Sequence, residues 1–164
     1  VVGDACPSLK IKNRAVRWVN LPKNHGAGGA VPRNYGIMLA SGGLIAYLDD
    51  DNQWTPDHIS SLYEVLRGSD SSYAFSSMRT LEKDLIFKEP QRGSIDTSCI
   101  LHKKELIRRY GWWKDRIEGG YAHDWEFFSR WPAERWIATE RPTLLYTAET
   151  SGQLEFLKDL VAKA

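Results

Sequence analysis

Apolar and polar positions alternate along the chain in blocks that predict strands and helices in turn. Residues 15–21 alternate with a period of two, as a half-buried strand does, whereas residues 44–49 lack a polar face, as expected of a central strand covered on both sides. Residues 85–89 are predicted to form an excursion or hairpin, and Pro142 is expected to break the last strand region into one or two short strands. The predicted strands cover residues 15–21, 44–49, 72–79, 95–102 and 135–147.

Helices are predicted between these strands, with glycine and proline at their ends. Gly42 and Gly43 end the first helix, and Pro56 opens the second. The predicted helices cover residues 34–40, 57–66, 103–110, a short segment late in 111–131, and an amphipathic C-terminal stretch at 151–164. Because strands alternate with helices, the sequence predicts an α/β fold with a mostly parallel sheet flanked by helices. Ligands of such sheets gather at the carboxyl ends of the strands.

Composition limits the class of protein further. The chain has 164 residues, 42% of them hydrophobic, which suits one domain with a full core, and its formal charge of +1 does not indicate a nucleic-acid partner. Cys6 and Cys99 have no metal-type spacing and are expected to be reduced thiols. No apolar run reaches the length of a membrane span, so we expect a cytoplasmic protein, with peripheral membrane association left open. The start at Val1 and Val2, without a preceding helix, suggests that a first strand is lacking.

Three consecutive carboxylates, Asp49, Asp50 and Asp51, follow the apolar run at 44–48 directly. Alternation along a strand would point Asp49 and Asp51 to one side and Asp50 to the other. Paired carboxylates suit Mg²⁺ or Mn²⁺, which take the rest of their ligands from water and from phosphates of a substrate. The alternative is a solvated acidic turn, or a cap for the helix that begins near Pro56.

The segment "RNYGIMLASGGLIAYLDDDNQWTPDHISSL", residues 33–62, resembles the signature of glycosyltransferase family 2, whose members are inverting enzymes with the GT-A fold. "VVGDAC" at the start resembles the second strand of those enzymes. "GGYAHDWEFFSRW", residues 119–131, resembles their late acidic helix start. The resemblance covers roughly residues 1–147 and implies a Rossmann-like nucleotide-binding core, with the family's first strand missing from this chain.

On the donor side, the resemblance implies that Asp49 and Asp51 hold Mn²⁺ or Mg²⁺ on the diphosphate of a nucleotide sugar, with Asp50 close by. A pair formed by Asp50 and Asp51 is the other register. Asp4 is expected to accept a hydrogen bond from the base or the ribose, or else to cap the turn after Gly3. Arg33 is expected near the nucleotide, or else as a surface arginine at a helix start.

On the acceptor side, the resemblance implies that Asp124 is the base that takes the proton of the acceptor hydroxyl. The family usually has Glu before this aspartate, whereas this chain has His123. Glu126 is a substitute base or an acceptor contact. The alternative for Asp124 is an N-cap of the following helix, although Phe127 stands where a capping box would place Glu or Gln.

Acceptor contacts are expected from aromatic side chains, which stack on the faces of sugars, and core packing is their alternative. The candidates are Trp113 and Trp125, together with His102, whose alternative is an exposed strand end. Glycines 26, 28 and 29 do not fit a known phosphate-binding loop and are interpreted as a flexible bend.

The sequence thus predicts a single GT-A-like domain over residues 1–164. Its parts are a nucleotide-sugar-binding half at 1–102, an acceptor and catalytic half at 103–150, and the terminal helix at 151–164. The expected reaction is direct displacement from a nucleotide-diphosphate sugar, with a UDP-sugar favoured, to a hydroxyl of a glycan, a lipid or another acceptor. A catalytically inactive sugar-nucleotide or glycan-binding module is the alternative, followed by a metal-dependent nucleotidyltransferase or phosphohydrolase.

Overall fold

A computed structural model describes residues 1–5, 15–119 and 123–147. The C-terminal helix predicted at 151–164 lies outside the described residues. Strands in the described part are β1 Val2–Asp4, β2 Val19–Leu21, β3 Leu44–Ala46, β4 Gln53–Trp54, β5 Tyr73–Arg79, β6 Asp84–Leu85, β7 Ile100–Lys103 and β8 Trp136–Leu145. The helices there are α1 Ala30–Leu39, α2 His58–Arg67, α3 Glu105–Tyr110, α4 Arg116–Gly119 and α5 His123–Ser129, with 3-10 turns at Ala27–Gly29 and Thr97–Cys99.

The strands form two sheets. β1 and β2 pair in parallel, and the larger sheet has the order β3-β7-β5-β8-β4, with β6 paired to β5. In the larger sheet β5 and β8 are parallel, whereas β3·β7, β5·β7, β5·β6 and β4·β8 are antiparallel. Strands β3, β5 and β8 therefore run in one direction, and β7 lies between β3 and β5 in the opposite direction.

The mixed α/β fold with helices on both faces of the sheet is confirmed, but the expectation of mostly parallel pairing is wrong for the larger sheet. A parallel neighbour needs a crossover connection that carries the chain back to the starting edge. The chain instead leaves β5, forms β6 by hairpin pairing, and enters β7 through residues 86–99 without an α-helix. It thus re-enters the sheet from the edge at which β5 ended, which makes β7 antiparallel.

Side-chain alternation along β5 divides the core between the two faces of the sheet. Ala74 faces α2, where it packs with Leu62, Leu66 and Leu101. Phe75, on the opposite face, belongs to the larger cluster that includes residues of α5 and of the loop before α4. Aromatic rings dominate this second cluster, so the segment that follows α3 is fixed by extensive apolar contact.

Several boundaries differ from the sequence prediction: β2 begins at Val19 rather than at residue 15, β3 ends at Ala46 rather than at residue 49, and β7 begins at Ile100 rather than at residue 95. Two further differences involve prolines. Helix α1 begins at Ala30 rather than at residue 34, because Pro32 is tolerated in a first helical turn, where its missing N–H would have no helical partner. Strand β8 is continuous through Pro142, but its pairing with β5 shifts near that residue: Phe75 opposes Ala138, and Ser77 opposes Pro142. The proline thus disturbs the register without ending the strand.

Candidate active site

Asp49 lies just beyond β3 and is held from two sides. Its Oδ1 accepts a hydrogen bond from Arg33 Nη2 at 2.6 Å, and its backbone N–H donates to Ser98 Oγ at 3.1 Å. Burial raises the pKa of Asp49, the Arg33 guanidinium opposes that effect, and the charges of Asp124 and Asp51 add to it. Asp49 is therefore a carboxylate close to other carboxylates, with one oxygen already bound to a cation.

The strand alternation predicted for the acidic triplet is not observed. Asp50 and Asp51 lie in a turn, and the N–H of Asn52 donates to the carbonyl of Asp49 at 3.2 Å. Asp50 and Asp51 are exposed, whereas Asp49 is half-buried. Asp51 nevertheless lies close enough to Asp49 for its charge to raise the pKa of Asp49.

Asp96 joins this site, although the sequence analysis did not single it out. Its Oδ1 accepts from the N–H of Ser98 at 2.7 Å, which caps the turn at Thr97–Cys99. Burial, followed by the charges of Asp124 and Asp49, raises the pKa of Asp96 to about 7. The group of Asp49, Asp51, Asp96 and Asp124 is called the acidic group below.

The antiparallel direction of β7 explains why Asp96 was missed. In a parallel sheet, Asp96, at the start of the strand predicted at 95–102, would lie at the edge opposite Asp49. Because β7 is antiparallel to β3, the register Ala46↔Leu101, continued outward, brings the residues before β7 beside those after β3. The Asp-Thr-Ser sequence signals a capped turn, but its place in the site depends on strand direction, which the pattern did not reveal.

Tyr146 follows β8 and lies near the acidic group. Burial raises the pKa of Tyr146, and the charges of Asp96, Asp51, Asp124 and Asp49 act in the same direction. Its backbone N–H donates to the carbonyl of Arg79 at 2.8 Å, which fixes Tyr146 at the end of β5. The ends of β3, β5 and β8 and the start of β7 therefore meet at one edge of the sheet.

Asp124 is the second residue of α5 and therefore lies inside the first turn, not at the cap position. Its side chain is 30% exposed, and its Oδ1 is buried without a hydrogen-bond partner among the described residues. His123 Nε2 lies 3.2 Å from this oxygen. The capping alternative is thus not observed, and Asp124 has an oxygen available for a ligand.

Glu126 lies two residues further along α5 but has a different environment. Its Oε1 lies 3.0 Å from Lys114 Nζ and 3.4 Å from Arg130 Nε. Oε2 of Glu126 is buried without a hydrogen-bond partner among the described residues, as Oδ1 of Asp124 is. The two cations beside Oε1 nevertheless make Glu126 a poorer candidate for a base than Asp124.

Asp4 is bound by its own chain. Its carboxylate accepts from the N–H groups of His25 and Gly26 at 2.9 and 3.0 Å, and it contacts His25 Nδ1 at 2.8 Å. Burial works to raise the pKa of Asp4, but the hydrogen bonds from His25 and Gly26 outweigh it and hold the pKa below its usual value. Asp4 therefore orders the loop after β2, and its contact with a nucleoside stays a prediction.

Two of the predicted acceptor residues are core residues, which corrects that prediction. Trp113 is 4% exposed and stacks on Phe127 with the ring centroids 4.0 Å apart. His102 is fully buried, its Nε2 contacts the Tyr47 hydroxyl at 2.9 Å, and burial lowers its pKa to about 4. His102 is therefore neither an acceptor contact nor the exposed strand end of the alternative interpretation. Trp125 is half-buried, so its role as an acceptor contact stays a prediction.

The donor set at this edge suits a cation that brings most of its own ligands. Within residues 1–5, 15–119 and 123–147, no group of three or more His, Cys, Asp or Glu side chains converges closely enough for a protein-only metal site. Mg²⁺ and Mn²⁺ do not require one, because one or two carboxylates together with phosphates and water complete their shell. Asp49 and Asp51 fit that requirement, since their mutual repulsion would be relieved by a positive charge.

The fold and the position of the site define a GT-A-type glycosyltransferase fold. The chain belongs to Glycosyl transferase family 2, whose sequence pattern it matches over residues 4–141. A comparison with curated protein sequences gives no significant match. No helix in the described part is long and apolar enough to cross a bilayer.

Similar solved structures include those of S. aureus TarS. The structure of TarS 1–349 with UDP-GlcNAc superposes with a TM-score of 0.64 at 11% sequence identity, covering 90% of this chain and 49% of that one. The structure of TarS 1–349 with UDP gives a TM-score of 0.62, 11% identity, and coverage of 90% and 47%. The chain thus spans about half the length of these structures. At such low identity, the likeness shows the fold alone.

Proposed function

We propose that this protein is an inverting glycosyltransferase, which transfers a sugar from a nucleotide-diphosphate donor to a hydroxyl group of a glycan, a lipid or another acceptor. A UDP-sugar is the favoured donor, because the similar TarS structures contain UDP and UDP-GlcNAc. The observation that carries the proposal is Asp124, a member of the acidic group whose Oδ1 is buried without a hydrogen-bond partner in the described part. A cytoplasmic location is part of the proposal.

In this proposal Asp124 accepts the proton of the acceptor hydroxyl. The hydroxyl oxygen then attacks the anomeric carbon from the face opposite the diphosphate, so the bond to the diphosphate breaks with its electron pair and the configuration inverts. A single base is enough for this step, and no covalent enzyme intermediate forms. The carboxylate of Asp124 is suited to it because neither a backbone N–H nor a cation of the described residues hydrogen-bonds its Oδ1.

On the donor side, Asp49 and Asp51 would hold Mn²⁺ or Mg²⁺. Such a cation stabilises the charge that develops on the leaving diphosphate. Arg33 adds a fixed positive charge beside Asp49, at 2.6 Å, and holds that carboxylate in one orientation. Asp50 is exposed in the same turn and is the weaker candidate for the metal pair.

The test is transfer to water, because the acceptor is unidentified. The protein is incubated with UDP-GlcNAc, UDP-glucose and GDP-mannose in Mn²⁺, and release of nucleoside diphosphate is measured. Replacing Asp124 with Asn is expected to lower the rate roughly 10²-fold or more, since a lost general base costs about that factor. UDP affinity should stay within about twofold, because Asp124 acts on the acceptor.

Glu126→Gln is the matched variant, since it neutralises a carboxylate two residues away on the same helix. A loss confined to Glu126→Gln would make Glu126 the base. Tight nucleotide binding without turnover of any donor would favour the inactive binding module. Turnover that leaves the sugar attached to phosphate would favour the nucleotidyltransferase or phosphohydrolase alternative.

A further inference from the structure

The glycine-rich loop before α1 contacts the first turn of α5 through a single carbonyl. The oxygen of Gly28 accepts a hydrogen bond from Arg33 Nη1 at 2.7 Å and lies 3.0 Å from His123 Nε2. Arg33 Nη1 also lies 3.3 Å from His123 Nε2, and Asp124 Oδ1 lies 3.2 Å from it. The two oxygens, which only accept, favour the tautomer of His123 in which Nε2 carries the hydrogen. In that tautomer His123 gives this loop a hydrogen-bond partner on the opposite side of the site.

The close approach depends on glycine at position 28. Its φ is +63°, a conformation that other residues adopt only with strain, and a Cβ built there would lie 3.0 Å from two atoms of the His123 ring. The ring itself is buried, with the edge of Trp113 against it at a centroid distance of 6.2 Å. The backbone and the imidazole are thus packed directly on each other.

Arg33 and His123, whose side chains meet at the Gly28 carbonyl, also contact the donor side and the acceptor side of the proposed site. The guanidinium of Arg33 also binds Asp49 on the donor side. His123 Nε2 lies 3.2 Å from Oδ1 of Asp124 without making a hydrogen bond to it, so this nitrogen lies against the proposed base while its N–H is directed at the carbonyl. His123 Nδ1 is buried and has no hydrogen-bond partner among the described residues.

We propose that His123 is a positioning residue for Asp124: its Nε2–H, anchored on the Gly28 carbonyl, fixes the first turn of α5 and holds the base at the acidic group. The inference rests on the proposed function and deepens it. It assigns a role to the residue at which this chain departs from the usual glutamate of the family, and to the glycine-rich loop, which the sequence analysis interpreted only as a bend.

Glutamine and asparagine distinguish the two ring nitrogens. The amide nitrogen of glutamine reaches approximately the position of Nε2, whereas that of asparagine reaches only the position of Nδ1, which makes no hydrogen bond in the described part. His123→Gln is therefore expected to keep donor turnover within about threefold of the unmodified protein. His123→Asn is expected to lower kcat at least tenfold, with KM for the donor little changed, because the donor carboxylates and Arg33 remain in place.

Thermal unfolding midpoints of both variants are measured alongside turnover, since a merely structural role would lower stability and activity together. The proposal is overturned if both variants turn over like the unmodified protein. It is also overturned if they lose activity equally with equal loss of stability, or if the loss falls on KM alone. If the unmodified protein turns over no donor, the proposed function fails first, and that outcome is distinct from a failure of the role of His123.

Discussion

Asp96 and Asp49 are both carboxylates at the same edge of the sheet, yet their immediate partners differ. Asp49 has the guanidinium of Arg33, whereas the hydrogen-bond donors to Asp96 are the N–H of Ser98 and the more distant amide of Asn52, at 3.5 Å. Neither of those donors carries a full charge. The raised pKa of Asp96, about 7, follows from burial next to Asp124 and Asp49 without a cationic partner.

Replacement of Asp96 with Asn is therefore expected to stabilise the protein above neutral pH. The folded-state pKa of Asp96 lies above the unfolded value, so this group favours the folded state at low pH, and that contribution is lost as pH rises from about 4 to about 7. Asparagine keeps the cap on Ser98 and does not ionise. We expect a gain on the order of 1–2 kcal/mol at pH 8, after allowance for solvent screening, and almost none at pH 4.

The measurement is thermal unfolding at pH 4, 6 and 8 in the presence of a chelator, so that no bound cation masks the repulsion. Asp84→Asn is a control. Asp84 is an exposed acid on β6 that pairs with Arg79 on β5, so this variant is expected to lose stability, not gain it. An Asp96→Asn variant whose stability relative to the unmodified protein does not change with pH would contradict the assignment.

At the scale of elements, Ser98 holds the end of β3 to the start of β7. Its hydroxyl is fully buried and accepts from the N–H of Asp49 at 3.1 Å and from the side-chain amide of Asn52 at 3.3 Å. The neighbouring carbonyl of Ser98 accepts from Trp54 Nε1 at 2.8 Å. One serine thus ties the turn at 49–52 and the β4 region to β7.

Ser98→Ala is expected to destabilise the protein by about 1–3 kcal/mol, because it removes the acceptor of the partly buried Asp49 N–H and leaves the Asn52 amide with only its longer bond to Asp96. The measurement is the midpoint and slope of denaturant unfolding. Ser60→Ala is the control: Ser60 is exposed on α2, and its removal should cost no more than about 0.5 kcal/mol. Equal effects of the two substitutions would mean that the junction does not depend on the Ser98 hydroxyl.

The strands and helices were largely predictable from local pattern, because apolar runs and glycine or proline punctuation report on burial and chain reversal. The direction of β7 was not, since a short apolar strand reads the same in either direction. That one error also hid Asp96. The burial of His102 and Trp113 could not be predicted either, because aromatic residues of a binding surface and those of the core are the same residue types and show no different pattern in the sequence.

At the scale of the whole molecule, positive and negative charges are nearly equal in number but unevenly distributed. The formal charge of +1 conceals an edge of the sheet where four carboxylates lie close to one another. The guanidinium of Arg33 binds only Asp49 among them in the described part. A nucleoside diphosphate approaching this edge alone would meet net repulsion, so its binding should depend on a cation.

UDP is therefore expected to bind at least tenfold more tightly with Mn²⁺ than without it, and Asp51→Asn should remove most of that difference, a change of about 1.4 kcal/mol or more. Isothermal titration of UDP into the unmodified protein and into Asp51→Asn, with and without Mn²⁺, measures both the effect of the cation and its dependence on Asp51. Asp50→Asn should have little effect if Asp49 and Asp51 are the metal pair, and a large one if Asp50 and Asp51 are. Asp70→Asn is the matched control, because Asp70 is 90% exposed and precedes β5, at the edge opposite the acidic group. UDP affinity that ignores both Mn²⁺ and Asp51 would leave the acidic turn without a role in donor binding, and transfer would then have to rest on Arg33 and Asp124 alone.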